Sequence, residues 1–254
     1  MINPSGNPLY SHSYIYNFGV PLKHTGAYAV AHATEFLDLY LGGDFGNLAQ
    51  FGKKGDNNEA LAGLGGFGLN LLGGNLTILA LTHIGPENPD NIGIRDVNGT
   101  NRYFNDLIVT WKATDSLTFT TEANYVKDDV QKNAEGYGVA QYVSYQFNDW
   151  LTLQARGEVW RDQGGFFVAA FPRNFDFTNA SRGFANTSFN GGKATYTEAT
   201  LGLNIKLPVG DTFSGTVLRP ELRYDHAEQA RPFNDLTSDH QFTIGADLVL
   251  PFSF

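Results

Sequence analysis

Residues 241–254 read QFTIGADLVLPFSF, and the fold follows from how they alternate. Phe242, Ile244, Ala246, Leu248, Leu250, Phe252 and Phe254 fall on one face, while Gln241, Thr243, Gly245, Asp247, Val249 and Ser253 fall on the other. A period of two marks a β-strand, and the stretch is longer than the usual five or six residues. An unbroken apolar face ending in an aromatic residue, opposite a polar face, suits a strand with lipid on one side. A core strand of a soluble β-sandwich is the competing reading, and the remaining strands decide between them.

Composition narrows the choice. The chain has 254 residues, 29 Gly, 20 Phe, 12 Tyr, one Met and no Cys, with a net charge of −9. Its mean hydropathy is −0.25. A helical membrane protein would be far more apolar, since each span needs about 20 mostly apolar residues. A barrel averages polar and apolar faces, so it reads as hydrophilic while still crossing lipid. The lack of Cys excludes disulfides, thiolate metal sites and a Cys nucleophile. The acidic balance argues against nucleic acid as a partner. No basic and apolar leader follows Met1, as expected of a processed or truncated exported chain. In the uncharged run 60–86, glycines and the tight turn at Gly73-Gly74-Asn75 favour a hairpin over a helix. The GxGxxG match from Gly63 to Gly68 lacks the helix and acidic residue that a dinucleotide site requires.

Taken in order, the pattern predicts eleven strands: 24–34, 36–46, 58–73, 75–85, 101–114, 116–128, 136–148, 150–163, 195–208, 214–227 and 239–254. The connections alternate between tight turns and long Gly/Asn-rich loops, and each tight turn leads back into the sheet on a Leu at 37, 76, 117 or 151. Short turns on one end and long loops on the other are the arrangement of outer-membrane barrels. The expected fold is therefore an all-β, antiparallel up-and-down transmembrane β-barrel with 11–12 strands present. Counting back from a periplasmic C-terminus makes the first strand run inward, so these strands are expected to be the C-terminal part of a larger barrel of about 16 strands. The chain is one partial barrel domain, 1–254, in which 1–23 is an external loop or partial strand and 163–194 a long external loop.

Three stretches carry a family resemblance: residues 13–29 (SYIYNFGVPLKHTGAYA), 35–46 (EFLDLYLGGDFG) and 147–158 (FNDWLTLQARGE). Together with the closing strand, they resemble the β-barrel porin-2 family (OmpL-like) of Gram-negative bacteria over essentially the whole chain. The resemblance implies a passive channel for small hydrophilic solutes or ions in the bacterial outer membrane. It also implies the lipid bilayer and the barrel-assembly machinery as partners, and a homotrimer as one oligomeric state of porins of this type. The machinery would read Phe242, Ile244, Leu248, Leu250, Phe252 and Phe254. The family supplies no cofactor and no list of substrate-binding residues. A closed-lumen structural or adhesion barrel, acting through its external loops, is the alternative.

Strand phase assigns the pore wall. Arg102, Lys112, Arg156, Lys206, Arg219 and Arg223 are expected to face inward with Asp38, Asp44, Asp106, Glu122, Glu158, Glu198, Glu221, Asp225 and Asp247. The acidic excess points to a mild cation preference. The loop 163–194 is rich in Phe and carries Phe171, Arg173, Asp176 and Arg182, candidates for a constriction folded into the lumen. Outward aromatics such as Trp111, Tyr125, Tyr145 and Phe147 suit a girdle. The six His show no metal-binding spacing, so no metal site is expected, and Asp225-His226 beside Asp239-His240 is only a faint catalytic signal. No enzymatic activity is expected.

Overall fold

The structure, a computed structural model, describes residues 6–22, 24–47, 58–88, 96–168, 193–210, 213–234 and 237–251. Eleven strands form one antiparallel sheet in which every strand pairs with its sequence neighbours. They are β1 (Gly26–His32), β2 (Leu37–Asp44), β3 (Ala62–Leu71), β4 (Leu76–Gly85), β5 (Arg102–Lys112), β6 (Leu117–Asp128), β7 (Glu135–Asn148), β8 (Leu151–Asp162), β9 (Ala194–Lys206), β10 (Val217–Glu228) and β11 (His240–Val249). All eleven coincide with strands read from the sequence, and most are trimmed by a few residues. The sheet is not closed, and β1 and β11 are its edges.

The recurring turns have a common chemistry. The Thr34 hydroxyl accepts the Phe36 N–H at 3.3 Å, and the Thr114 hydroxyl accepts those of Ser116 and Leu117 at 3.2 and 3.0 Å. The Asn148 carbonyl oxygen accepts the N–H groups of Trp150 and Leu151, both at 3.0 Å. A short side chain that caps its own turn fixes the register of the hairpin it closes. At the β3–β4 turn, Leu72, Gly73 and Gly74 have φ of 53°, 64° and 93°, the left-handed region that Gly adopts without cost.

Register sorts the side chains as an inside-out protein. Leu41, Leu107, Val139, Val159, Leu201, Leu222, Phe242 and Ile244 project from one face and are exposed, whereas Arg102, Glu122, Arg156, Glu158, Glu198 and Asp225 on the other are buried. A soluble sandwich buries its apolar face. A lipid-facing barrel wall presents it. Aromatic residues on the outer face gather at two heights. Trp111 stacks on Phe119 and Tyr145 meets Phe147 edge-on near the tight turns. Tyr137 pairs with Tyr125 toward the long loops. The span from Tyr137 to Tyr145 is ~27 Å along the strand, close to the ~25 Å apolar band of outer-membrane barrels. Among the described residues, no helix is long and apolar enough to cross a membrane.

No strand forms within residues 6–22, which corrects the expectation of a partial strand there. The segment lies on the polar face of the sheet, with a single π-helical turn at Ile15–Gly19. Its alternation of Tyr14, Tyr16 and Phe18 mimics a strand, but Tyr14 and Ile15 are 3% and 0% exposed because they sit on the wall. Inner-face glycines make room for it. A Cβ on Gly202 would lie 2.7 Å from Leu9, and one on Gly245 would lie 2.8 Å from Tyr10.

Candidate functional site on the polar face

All fifteen ionisable residues read as pore-lining share one face of the sheet. Direct partners across a ladder lie on the same side. The ladders set Asp38 and Asp44 beside β1 and β3, Arg102 opposite Asp128, Asp106 opposite Asn124, Lys112 opposite Thr118 and Glu122 opposite Ala140. They also set Glu158 opposite Glu198, Arg156 opposite Thr200, Asp225 opposite Glu198, Lys206 opposite Val217, Glu221 opposite Gly245 and Arg219 opposite Asp247. Arg223 faces Thr200 and Thr243 on the same side.

Each arginine of this face is paired with a carboxylate, Arg102 with Asp128 among them. Arg156 Nε donates to Glu198 at 2.6 Å, Arg219 holds Asp247 in a two-pronged pair, and Arg223 Nη2 donates to Asp225 at 2.6 Å. The remaining capacity goes to the segment 6–22. The Glu158 carboxylate accepts the N–H groups of Tyr14 and Ile15 at 2.6 and 2.8 Å, and Glu221 accepts that of Ser11 at 3.0 Å. Arg156 donates to the Ser11 carbonyl at 2.9 Å, Arg223 to that of His12 at 2.6 Å, and Arg219 to that of Asn7. The Tyr14 hydroxyl donates to Asp225 at 2.9 Å, and its ring stacks on Tyr196 at 5.0 Å. Burial raises the Tyr14 hydroxyl pKa well above the phenolic range, with Asp225 adding. Burial lowers the His12 pKa, with Arg156 and Arg219 adding to the effect and Glu221 opposing it.

Two inner-face acids lay outside the candidate set. Asp128 accepts from Arg102 Nε at 2.7 Å and from Asn88 Nδ2 at 3.0 Å. Asp162 gathers the N–H groups of Phe166, Phe167 and Val168 at 2.9, 2.8 and 2.8 Å, turning the start of the long loop inward. Phe166 and Phe167 there join a buried apolar cluster with Tyr14, Ile15, Phe104, Trp160 and Tyr196, and their rings lie 5.6 and 5.8 Å from the Arg102 guanidinium. Both acids share the even-number parity of Arg102, Glu122, Arg156 and Glu158, which was the available signal. The constriction candidates Phe171, Arg173, Asp176 and Arg182, and Phe252 and Phe254 of the closing strand, lie outside the described residues. Phe242, Ile244 and Leu248 share the exposed apolar face, and Leu250 just beyond β11 is also exposed.

The faint catalytic signal assembles only in part: His240 Nδ1 lies 2.7 Å from Asp239 and pairs across the ladder with His226, but Asp225 takes no part. Asp225 is turned inward to Arg223 and Tyr14, whereas His226 is on the opposite face, across from His240. The His spacing, by contrast, concealed a cluster. His24, Asp44 and His83 present ligand atoms that lie within 4.8 Å of one another, against the expectation of no metal site.

An open-edged antiparallel sheet with a lipid-type outer face and a charged inner face defines the wall of an outer-membrane β-barrel. The chain belongs to the family described as "Putative beta-barrel porin-2, OmpL-like", which matches residues 1–252. It is a porin-family protein of the bacterial outer membrane, in contact with the lipid bilayer. Among solved structures it is similar to in-vitro folded OmpT, an outer membrane protein of Vibrio cholerae, with a TM-score of 0.53 at 14% identity. That match covers 93% of this chain and 70% of the other. A loop-deletion mutant of the same protein gives a TM-score of 0.53 at 14% identity, over 91% of this chain and 65% of that one. The chain thus spans about two thirds of these proteins' length, and at such identity the likeness is one of fold. No curated protein matches the sequence.

Proposed function

We propose that the protein is a non-enzymatic, passive channel for small hydrophilic solutes or ions, with the segment 6–22 lying in its lumen. The observation that carries this reading is the polar face, where nine candidate carboxylates and six candidate cations line one side of a lipid-facing wall. Closely spaced charges of both signs create a transverse field that orders water and selects solutes. In lipid the backbone groups at the edges of β1 and β11 must be paired, so the conducting form is a closed barrel. The closing strand is the segment the barrel-assembly machinery reads, the long loops are external, and a homotrimer is one oligomeric state open to such a barrel.

A second reading has its own support. Six of the fifteen wall residues are occupied by the segment 6–22, which is what a plugged, structural or adhesion barrel would show. Conductance of the refolded full chain in a planar bilayer under a salt gradient separates the two. Stable ohmic steps are expected, and folded, heat-modifiable protein without conductance would assign the function to the loops.

A further inference from the structure

We propose that His24, Asp44 and His83 form a binding site for a divalent transition metal of the zinc class, at the loop end of β1–β4. His24 precedes β1, Asp44 ends β2 and His83 lies near the end of β4. Asp44 pairs with Gly26 on one side and Ala62 on the other, and Gly63 pairs with Ile84. The three side chains therefore converge across β3, where the short Ala62 leaves them in reach of each other. His24 Nδ1 is 3.1 Å from Asp44 Oδ2, and His83 Nε2 is 3.0 and 3.1 Å from the two Asp44 oxygens. The imidazoles meet edge-on with centroids 4.8 Å apart. Zinc–ligand bonds of about 2.0–2.2 Å place neighbouring ligand atoms ~3.3 Å apart in a tetrahedron, so two edges of the site are nearly formed.

The outer nitrogens support the assignment. His24 Nε2 is 3.3 Å from the Pro21 carbonyl, and His83 Nδ1 is 3.5 Å from Glu87, whose other oxygen accepts the Asn47 N–H at 2.6 Å. Metal-bound imidazoles characteristically direct their second nitrogen at a carbonyl or a carboxylate in this way. A neutral ring has one proton, and directing it outward leaves the inner lone pair facing the Asp44 carboxylate. A cation between them converts both contacts into ligation. Two imidazoles and one carboxylate suit zinc, nickel or copper, whereas calcium and magnesium take all-oxygen sites. The His24 side chain is 27% exposed while those of Asp44 and His83 are 7% and 2%, so the ion has an approach and a closed floor. Bound there, it ties the start of the edge strand β1 to β2 and β4.

The test is a titration of the full chain, refolded in detergent micelles and stripped with a chelator, using Co²⁺ as a visible probe of tetrahedral coordination. Saturable binding of one Co²⁺ per chain, competed by Zn²⁺, is expected. His24→Ala, which alters a side chain outside the strands, should weaken it at least about tenfold. His32→Ala and His240→Ala should leave it unchanged, although those imidazoles also contact a carboxylate, at 2.6 and 2.7 Å. Should His83→Ala fail to fold, His24→Ala still decides. Absence of stoichiometric binding would overturn the site and favour a proton on Glu87 donating to His83. Binding undiminished in His24→Ala would overturn it equally.

Discussion

Glu158 links the wall to the segment it carries. Its carboxylate takes two backbone N–H groups, and hydrogen bonds to a charged acceptor contribute about 1.5–3 kcal/mol each. Glu158→Ala should therefore loosen the segment at Tyr14 and Ile15 without unfolding the sheet, since the position lies within a strand paired on both sides. Fast amide exchange at Tyr14 and Ile15 in micelles, with exchange in β8 and β9 unchanged, is the expected result. Exchange that stays slow would mean the segment is held by other contacts. His12 adds a pH dependence. Asn7 Nδ2 lies 2.9 Å from His12 Nδ1, a contact that the neutral ring can accept and the protonated ring cannot. Because the docked imidazole titrates below the ordinary value of about 6.5, docking binds fewer protons than release. Its contribution is complete above pH 6.5 and is lost as the pH falls below that value. Protection at Tyr14, measured against the intrinsic exchange rate at each pH, should fall at acid pH in the parent protein, and His12→Gln should flatten that dependence.

At the scale of the element, each strand carries its own instruction about which way to face. Leu222, in the middle of β10, is exposed on the outer face, so Leu222→Lys should destabilise the refolded protein by about 2–4 kcal/mol in lipid. Thr120→Lys, on the inner face beside the level of Glu122, should cost much less, and urea titration of both variants in vesicles checks the contrast. Equal costs would mean the faces are misassigned. The same one-sidedness explains what could be read in advance. In β2, β8, β9 and β10, charged or polar residues on one face alternate with apolar or small ones on the other, so strand, phase and wall residues were all legible. In β1, β4 and β7 both faces are mild, and only the ladders set their phase. Residues 6–22 were not legible, because their partners Glu158 and Asp225 lie 144 and 211 positions along the chain. Nor was the cluster of His24, Asp44 and His83, whose spacing is set by hairpin and loop lengths rather than by a local motif.

For the whole molecule the question is what the segment 6–22 does to the charges it covers. The three arginines beneath it each keep a partner within the wall: Arg156 has Glu198, Arg219 has Asp247 and Arg223 has Asp225. Glu158 and Glu221 differ, since the segment's backbone N–H groups are what satisfies them in the structure. Removing the segment therefore strips partners from acids and leaves the cations neutralised. The described wall, with eleven carboxylates against six cations, would become more negative in effect, and a wider lumen would let that field act on permeating ions. Deleting residues 7–20 from the full chain should raise single-channel conductance and move the reversal potential toward stronger cation selectivity. Removing the two uncovered charges with Glu158→Gln and Glu221→Gln in the deletion background should undo that shift in selectivity and keep the conductance. Those two outcomes are separable, because width sets conductance while the exposed acids set the sign. A deletion that folds and conducts as the parent does would show that the segment lies outside the path of the ions.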